Sequence, residues 1–165
     1  MTQAIVVMGV TGSGKSTLGE ALAQRLGWRF VEGDTLHPKA NIEKMAAGIG
    51  LTDADRAPFL ENVARAIATR PGDLVISCSA LKRAYRDVLR QSDPALLFVL
   101  PMLSREALEQ RLQRRRGHFM PVALLASQLA DLEPPQADER IVQVDGSAPP
   151  EQQVAGILLE LNAGT

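Results

Sequence analysis

The chain holds one cysteine in 165 residues, which excludes an internal disulfide. Cys78 lies close to Val75 and Ile76, in the pattern of a buried strand, so its thiol reads as packing and suits a reducing compartment. Neither charge is in excess. Eighteen Lys and Arg face nineteen Asp and Glu, a formal net charge of −1, which argues against a general nucleic-acid binder, because such proteins carry a basic surplus. There is no long hydrophobic run. The first apolar stretch, AIVVM from residue 4, is too short to span a bilayer and lacks the basic start and cleavage region of a signal peptide. A cytoplasmic protein with no membrane partner is expected. Repeats, long linkers and low-complexity tracts are also missing. With 45% hydrophobic and 22% charged residues, the composition is that of a globular chain, and the length fits one domain spanning 1–165.

What is there is an alternation. Short apolar runs start at Ala4, Trp28, Asp73, Leu96 and Arg140 and read as five strands. Helical patterns fall between them. Leu18, Leu22 and Leu26 recur every four residues, with Gly27 as the stop. A second helix is expected from near Pro38 to near Gly48. A third begins near Asp53, with Thr52 as cap and Asp55 at the capping-box position; its buried stripe is Phe59 or Leu60, then Val63 and Ile67. Pro58 lies inside that pattern, so a first-turn position or a local break is expected there. Further helices follow the third and fourth strands, and the last carries Val154, Ile157, Leu158 and Leu161 on one stripe. Buried strands alternating with helices predict an α/β fold, a five-stranded parallel sheet with helices on both faces. Ligands then sit beyond the carboxyl ends of the strands.

GVTGSGKS, residues 9–16, fits G-x-x-x-x-G-K-[ST] in full, between an expected strand and an expected helix. Glycines let the backbone N–H groups of Gly9, Val10, Thr11, Gly12, Ser13 and Gly14 turn around an anion, and the helix start at Lys15, Ser16 and Thr17 adds partial positive charge. Lys15 reaches the outer phosphates and the Ser16 hydroxyl is suited to Mg²⁺. A P-loop NTPase binding ATP is therefore expected. A guanine-reading N-K-x-D is missing, which excludes a switch GTPase. The third strand ends in SCSALK with no carboxylate, unlike motor ATPases. Small-molecule kinases remain, beside a nucleotide-binding regulatory module.

Beyond the second strand, VEGDTLHP offers an acceptor side. A kinase needs a carboxylate to orient a hydroxyl and take its proton. Asp34 is the candidate, against the alternative of a turn-forming Asx residue. Glu32 can assist through a metal-bound water. His37 either bonds substrate or caps the next helix. Arg56 reads as a solvated, locally paired residue or as a ligand. Lys82 and Arg83 can face a substrate anion, and Ser79 can contact substrate or cap a helix.

The blocks GVTGSGKST, VEGDTLHPKANIEKMAAGIGLTDADRAPFL, SCSALKRAYRD and RRGHFMPVALLASQLADLE together resemble the gluconate kinases, P-loop kinases related to the nucleoside monophosphate and shikimate kinases. The resemblance spans most of the chain. It implies transfer of phosphate from ATP, with Mg²⁺, to the 6-hydroxyl of D-gluconate, and a homodimer. A related kinase for another small acid, such as shikimate, is the alternative. The resemblance supports Asp34 as acceptor carboxylate and Arg56 and Lys82 as substrate cations, with His37, Ser79 and Arg83 beside them. Gly50 and Phe59 depart from the family pattern, where proline and tryptophan are usual.

In this context RRRGHFMP, residues 114–121, reads as part of a mobile lid over about 112–130. Arg111, Arg114 and Arg115 share one helical face that can approach phosphate, Arg111 on the nucleotide and Arg115 in the transfer step. Gly117 is a hinge, and His118, Phe119 and Met120 cover the acceptor.

Overall fold

The computed structural model describes residues 2–114 and 122–163. Arg115, Arg116, Gly117, His118, Phe119 and Met120, assigned above to the lid, lie outside them. Five strands form one parallel sheet: β1 (Ala4–Val7), β2 (Arg29–Glu32), β3 (Leu74–Ser77), β4 (Leu97–Met102) and β5 (Ile141–Asp145), in the order β2-β3-β1-β4-β5. The helices are α1 (Lys15–Leu26), α2 (Lys39–Ala46), α3 (Asp53–Ala68), α4 (Arg83–Ser92), α5 (Arg105–Arg114), α6 (Val122–Asp131) and α7 (Pro150–Ala163).

Period-two alternation divides the core. Ile5 and Val7 face one cluster with Leu18 and Leu22 of α1 and Val154 and Ile157 of α7. Val6 and Met8 face the other, with Phe59, Leu60, Val63 and Ile67 of α3 and Leu89 of α4. Burying each large side chain is worth about 1.5–3 kcal/mol, so these stripes hold helices on both faces. A third, smaller cluster joins Val10, Leu81, Leu108, Leu112 and Leu125. It fastens α5 and α6 to the loop after β1.

Helix α3 starts as expected, with a reciprocal capping box between Thr52 and Asp55. It does not break at Pro58, which lies inside the helix. Proline there removes the bond to the Ala54 carbonyl, and both residues are exposed, so the missing bond falls on the outer side of the helix and not in the core. A 3-10 turn over Gly33–Leu36 follows β2, which no periodicity marks.

Candidate active site

The loop after β1 lies between the ends of β3 and β4: Met8 N–H donates to Val99 O at 2.8 Å and Gly9 N–H to Ser79 O at 3.1 Å. Gly9, Gly12 and Gly14 all have positive φ, as a loop curled around an anion requires. Inside the curl, Ser13 Oγ and Lys15 Nζ donate to Val10 O at 2.7 and 3.1 Å. Arg111 closes one flank, its guanidinium donating to Gly146 O at 2.8 Å and Gly12 O at 3.4 Å.

Beside the loop, Glu32 ends β2 in register with Ser77 of β3. Its carboxylate accepts hydrogen bonds from the hydroxyls of Ser16 and Ser77. This is an all-oxygen donor pair next to the phosphate loop, the chemistry a hard divalent cation takes, with phosphates and water completing its shell. Among the described residues no group of three or more His, Cys, Asp or Glu side chains is placed to hold a metal ion.

The chain then crosses over the end of β3. A Cβ on Gly33 would lie 1.8 Å from Ser77 O, so only glycine permits the crossing that carries Asp34 above the sheet. Asp34 lines a cleft with Thr11, Lys15, His37, Arg56 and Ser79. Met45, Leu51 and Leu124 supply apolar wall, and Gln128 of α6 completes it. Its free volume is about 40 Å³.

His37 stacks on Phe59 with ring centroids 3.6 Å apart and planes 9° apart, so phenylalanine supplies the supporting ring at this position. Burial lowers the His37 pKa, outweighing nearby Asp34. Asn41 Nδ2 donates to Asp55 O at 2.8 Å and meets His37 Nδ1 at 3.2 Å. An amide nitrogen only donates, so Nδ1 accepts and the neutral ring carries its hydrogen on Nε2.

Arg56 is buried at 6% exposure, which corrects its reading as a solvated helix residue. Its Nη1 donates to Tyr85 Oη at 3.0 Å and Asp131 Oδ2 at 2.9 Å. Burial opposes its charge, but those two hydrogen bonds prevail and its pKa is raised. Lys82 pairs with Asp53 at 2.9 Å beside Tyr85 and does not line the cleft. Arg83, expected to meet substrate, is turned away: Nε donates to Asp87, Nη1 to Gln136 and Asp138, and Nη2 to Asp138. Three carboxylate bonds and one amide hold it outside the cleft.

Of the expected residues, Thr11, Lys15, Asp34, His37, Arg56 and Ser79 meet in one cleft. Sequence reasoning missed Gln128, Tyr85 and Asp131. A signal for Gln128 existed: it is a lone amide on the stripe Leu124, Leu125, Leu129 and Leu132.

The AAA domain family matches residues 5–135. The chain is 52% identical over 150 residues to the gluconokinase of Gluconobacter oxydans, covering 89% of this chain and 84% of that protein. A gluconokinase from Sinorhizobium meliloti 1021 superposes with a TM-score of 0.90 at 49% identity, covering 98% of this chain and 92% of that one. Shikimate kinase from Aquifex aeolicus reaches a TM-score of 0.68 at 20% identity, over 98% of each chain; that likeness is one of fold. With relatives this similar over most of its length, a phosphate loop at the head of α1 and an acidic, basic and polar cleft beside it, the chain belongs to the gluconokinase family of P-loop kinases.

Proposed function

We propose that this protein transfers the γ-phosphoryl group of ATP to the 6-hydroxyl of D-gluconate, giving 6-phospho-D-gluconate and ADP. The observation that carries the reading is one cleft lined by both Lys15 and Asp34, in a chain that is 52% identical to a gluconokinase. Phosphoryl transfer asks for positioning and charge stabilisation more than covalent chemistry. The backbone N–H groups of residues 9–14 cradle the phosphates and Lys15 reaches the outermost. Arg111, braced between Gly12 and Gly146, flanks the nucleotide. Ser16 and Glu32 would hold Mg²⁺, which neutralises phosphate charge when bound. Asp34 accepts a hydrogen bond from the acceptor hydroxyl and takes its proton as the oxygen attacks. Arg56, charged and half-satisfied, suits the gluconate carboxylate, while neutral His37 and Ser79 suit hydroxyls.

One kinase domain built on the single sheet accompanies this reading. A homodimer and a cytoplasmic location rest on the family resemblance, and light scattering tests the first. The central experiment is coupled ADP release with gluconate, shikimate and nucleoside monophosphates as acceptors. Turnover is expected with gluconate and not with the others. Turnover with shikimate instead would establish the alternative acceptor, and loss of no activity in Lys15→Ala would remove the phosphate-loop assignment.

A further inference from the structure

Gln128 of α6 reaches the phosphate loop: it accepts from Thr11 N–H at 2.6 Å, across 117 residues of chain. It is 9% exposed and lines the same cleft as Asp34 and Arg56. A backbone N–H can only donate, so the atom it meets is the amide oxygen Oε1. The other end of the side chain is therefore Nε2, which can only donate. No hydrogen bond from Nε2 to a described residue occurs.

The helix is held in place around this residue. A Cβ on Gly50 would lie 2.4 Å from Ser127 Oγ, so the loop before Thr52 approaches α6 closely because Gly50 has no side chain. Asp131, one turn beyond Ser127, pairs with Arg56. Ser127, Gln128 and Asp131 thus touch the acceptor-side loop, the phosphate loop and the cleft arginine in turn.

We propose that Gln128 is a positioning and specificity residue for the acceptor: its Nε2 donates to a hydroxyl oxygen of the polyol while its Oε1 stays on Thr11 N–H. This rests on the reading of gluconate as acceptor. The other donors lining the cleft include cationic Lys15 and Arg56. A neutral donor complements a hydroxyl oxygen without demanding an anion, and its tie to the phosphate loop fixes the polyol chain relative to the transferring phosphoryl group. A site that bonds a hydroxyl discriminates strongly against an acceptor lacking it.

The test uses the full-length enzyme, Gln128→Met and Gln128→Asn, and a series of gluconates each lacking one hydroxyl other than the 6-hydroxyl. Methionine keeps the volume and loses both hydrogen bonds; asparagine keeps the amide but withdraws it by one carbon. In the wild type, one deoxy acceptor is expected to lose about 100-fold in kcat/KM relative to gluconate. In both variants that single penalty should shrink to within about threefold, with the penalties at other positions retained, as in a mutant cycle between side chain and hydroxyl. A purely structural role would lower turnover of every acceptor alike and leave all penalties intact, and that result overturns the proposal. If one variant fails to fold, the other alone decides. Wild-type enzyme that ignores gluconate but phosphorylates another acceptor overturns the gluconate reading and this inference with it, before any variant is made.

Discussion

Arg86 of α4 and Arg56 of α3 are both charged and both buried, at 0% and 6% exposure, yet their surroundings differ in one respect. An arginine has five N–H donors. Arg86 uses all five: Nε and Nη2 bond Glu139, Nη1 bonds the carbonyls of Ala80 and Leu81, and Nη2 bonds the carbonyl of Glu133. Arg56 uses two, to Tyr85 and Asp131, and among the described residues its Nε and Nη2 have no hydrogen-bond partner. The first arginine is a closed scaffold. It pins the loop after β3, where Ala80 adopts a φ of 44°, against the chain leading to β5. The second faces the cleft with donors to spare. A buried cation whose hydrogen bonds are incomplete is costly unless something else completes them, and in the proposed reading the gluconate carboxylate would complete those of Arg56.

The largest expected effect sits at the open region. Asp34→Asn should lower kcat by about 10³-fold, within the span usual for a lost general base, while ATP affinity and the urea midpoint hold. Turnover at the wild-type rate would move Asp34 out of the transfer step. Next comes the closed region. Arg86→Leu leaves the Glu139 carboxylate buried without its main partner and should cost about 3–5 kcal/mol of stability in urea unfolding; a loss under about 1 kcal/mol would mean that Arg86 is no scaffold. Arg56→Met should act the other way round, cutting kcat/KM for gluconate about 30-fold, the worth of a charged hydrogen bond, with a smaller stability loss than Arg86→Leu. Equal stability losses would make both arginines scaffold.

The same comparison has a pH form. Burial raises the Glu139 pKa, but hydrogen bonds from Arg86 and Arg90 outweigh it and hold the carboxyl down at about 2 against an ordinary 4.5. A carboxyl depressed by folding contributes stability that is complete above its unfolded pKa and is lost as pH falls toward its folded pKa. Stability should therefore decline between about pH 4.5 and 2, and Glu139→Gln should flatten that decline. Asp55, held at about 2 by the Thr52 backbone N–H and Lys44, leaves a residual slope in the variant. The smallest effect belongs to Arg83→Ala, which should change kcat/KM for gluconate by less than about twofold, as exposed ion pairs contribute little. A tenfold loss would return Arg83 to the acceptor site.

How much of this was legible in the sequence follows from distance along the chain. The phosphate loop was readable because its chemistry lies within eight consecutive residues that must also join a strand to a helix. The sheet was readable because all five strands are short apolar runs between helical patterns. The capping box of α3 needed only Thr52 and Asp55. By contrast, Arg56 and Arg83 could not be ranked from their neighbours. Asp131 and Tyr85 set the first, and Asp138 and Gln136, joined by the local Asp87, the second; apart from Asp87, none of these lies within 25 residues of its partner. Gln128 was missed because helical periodicity explains where α6 is buried, not which loop its one buried amide meets. The uninterrupted run of α3 through Pro58 goes with the exposure of Ala54 and Pro58, which spacing does not reveal.

The register that sets Glu32 beside Ser77 has a consequence for how such enzymes diversify. The carboxylate that accepts from the phosphate-loop serine Ser16 belongs to β2, so the segment beyond Ser77 supplies no carboxylate to that pair. The stretch CSALK, residues 78–82 beyond Ser77, is free to vary with the acceptor while the phosphate-handling half stays fixed. Grafting this segment and the 33–38 turn between kinases of this fold, with Glu32, Ser77 and residues 9–16 untouched, is a route to exchanging acceptors without rebuilding the transfer chemistry.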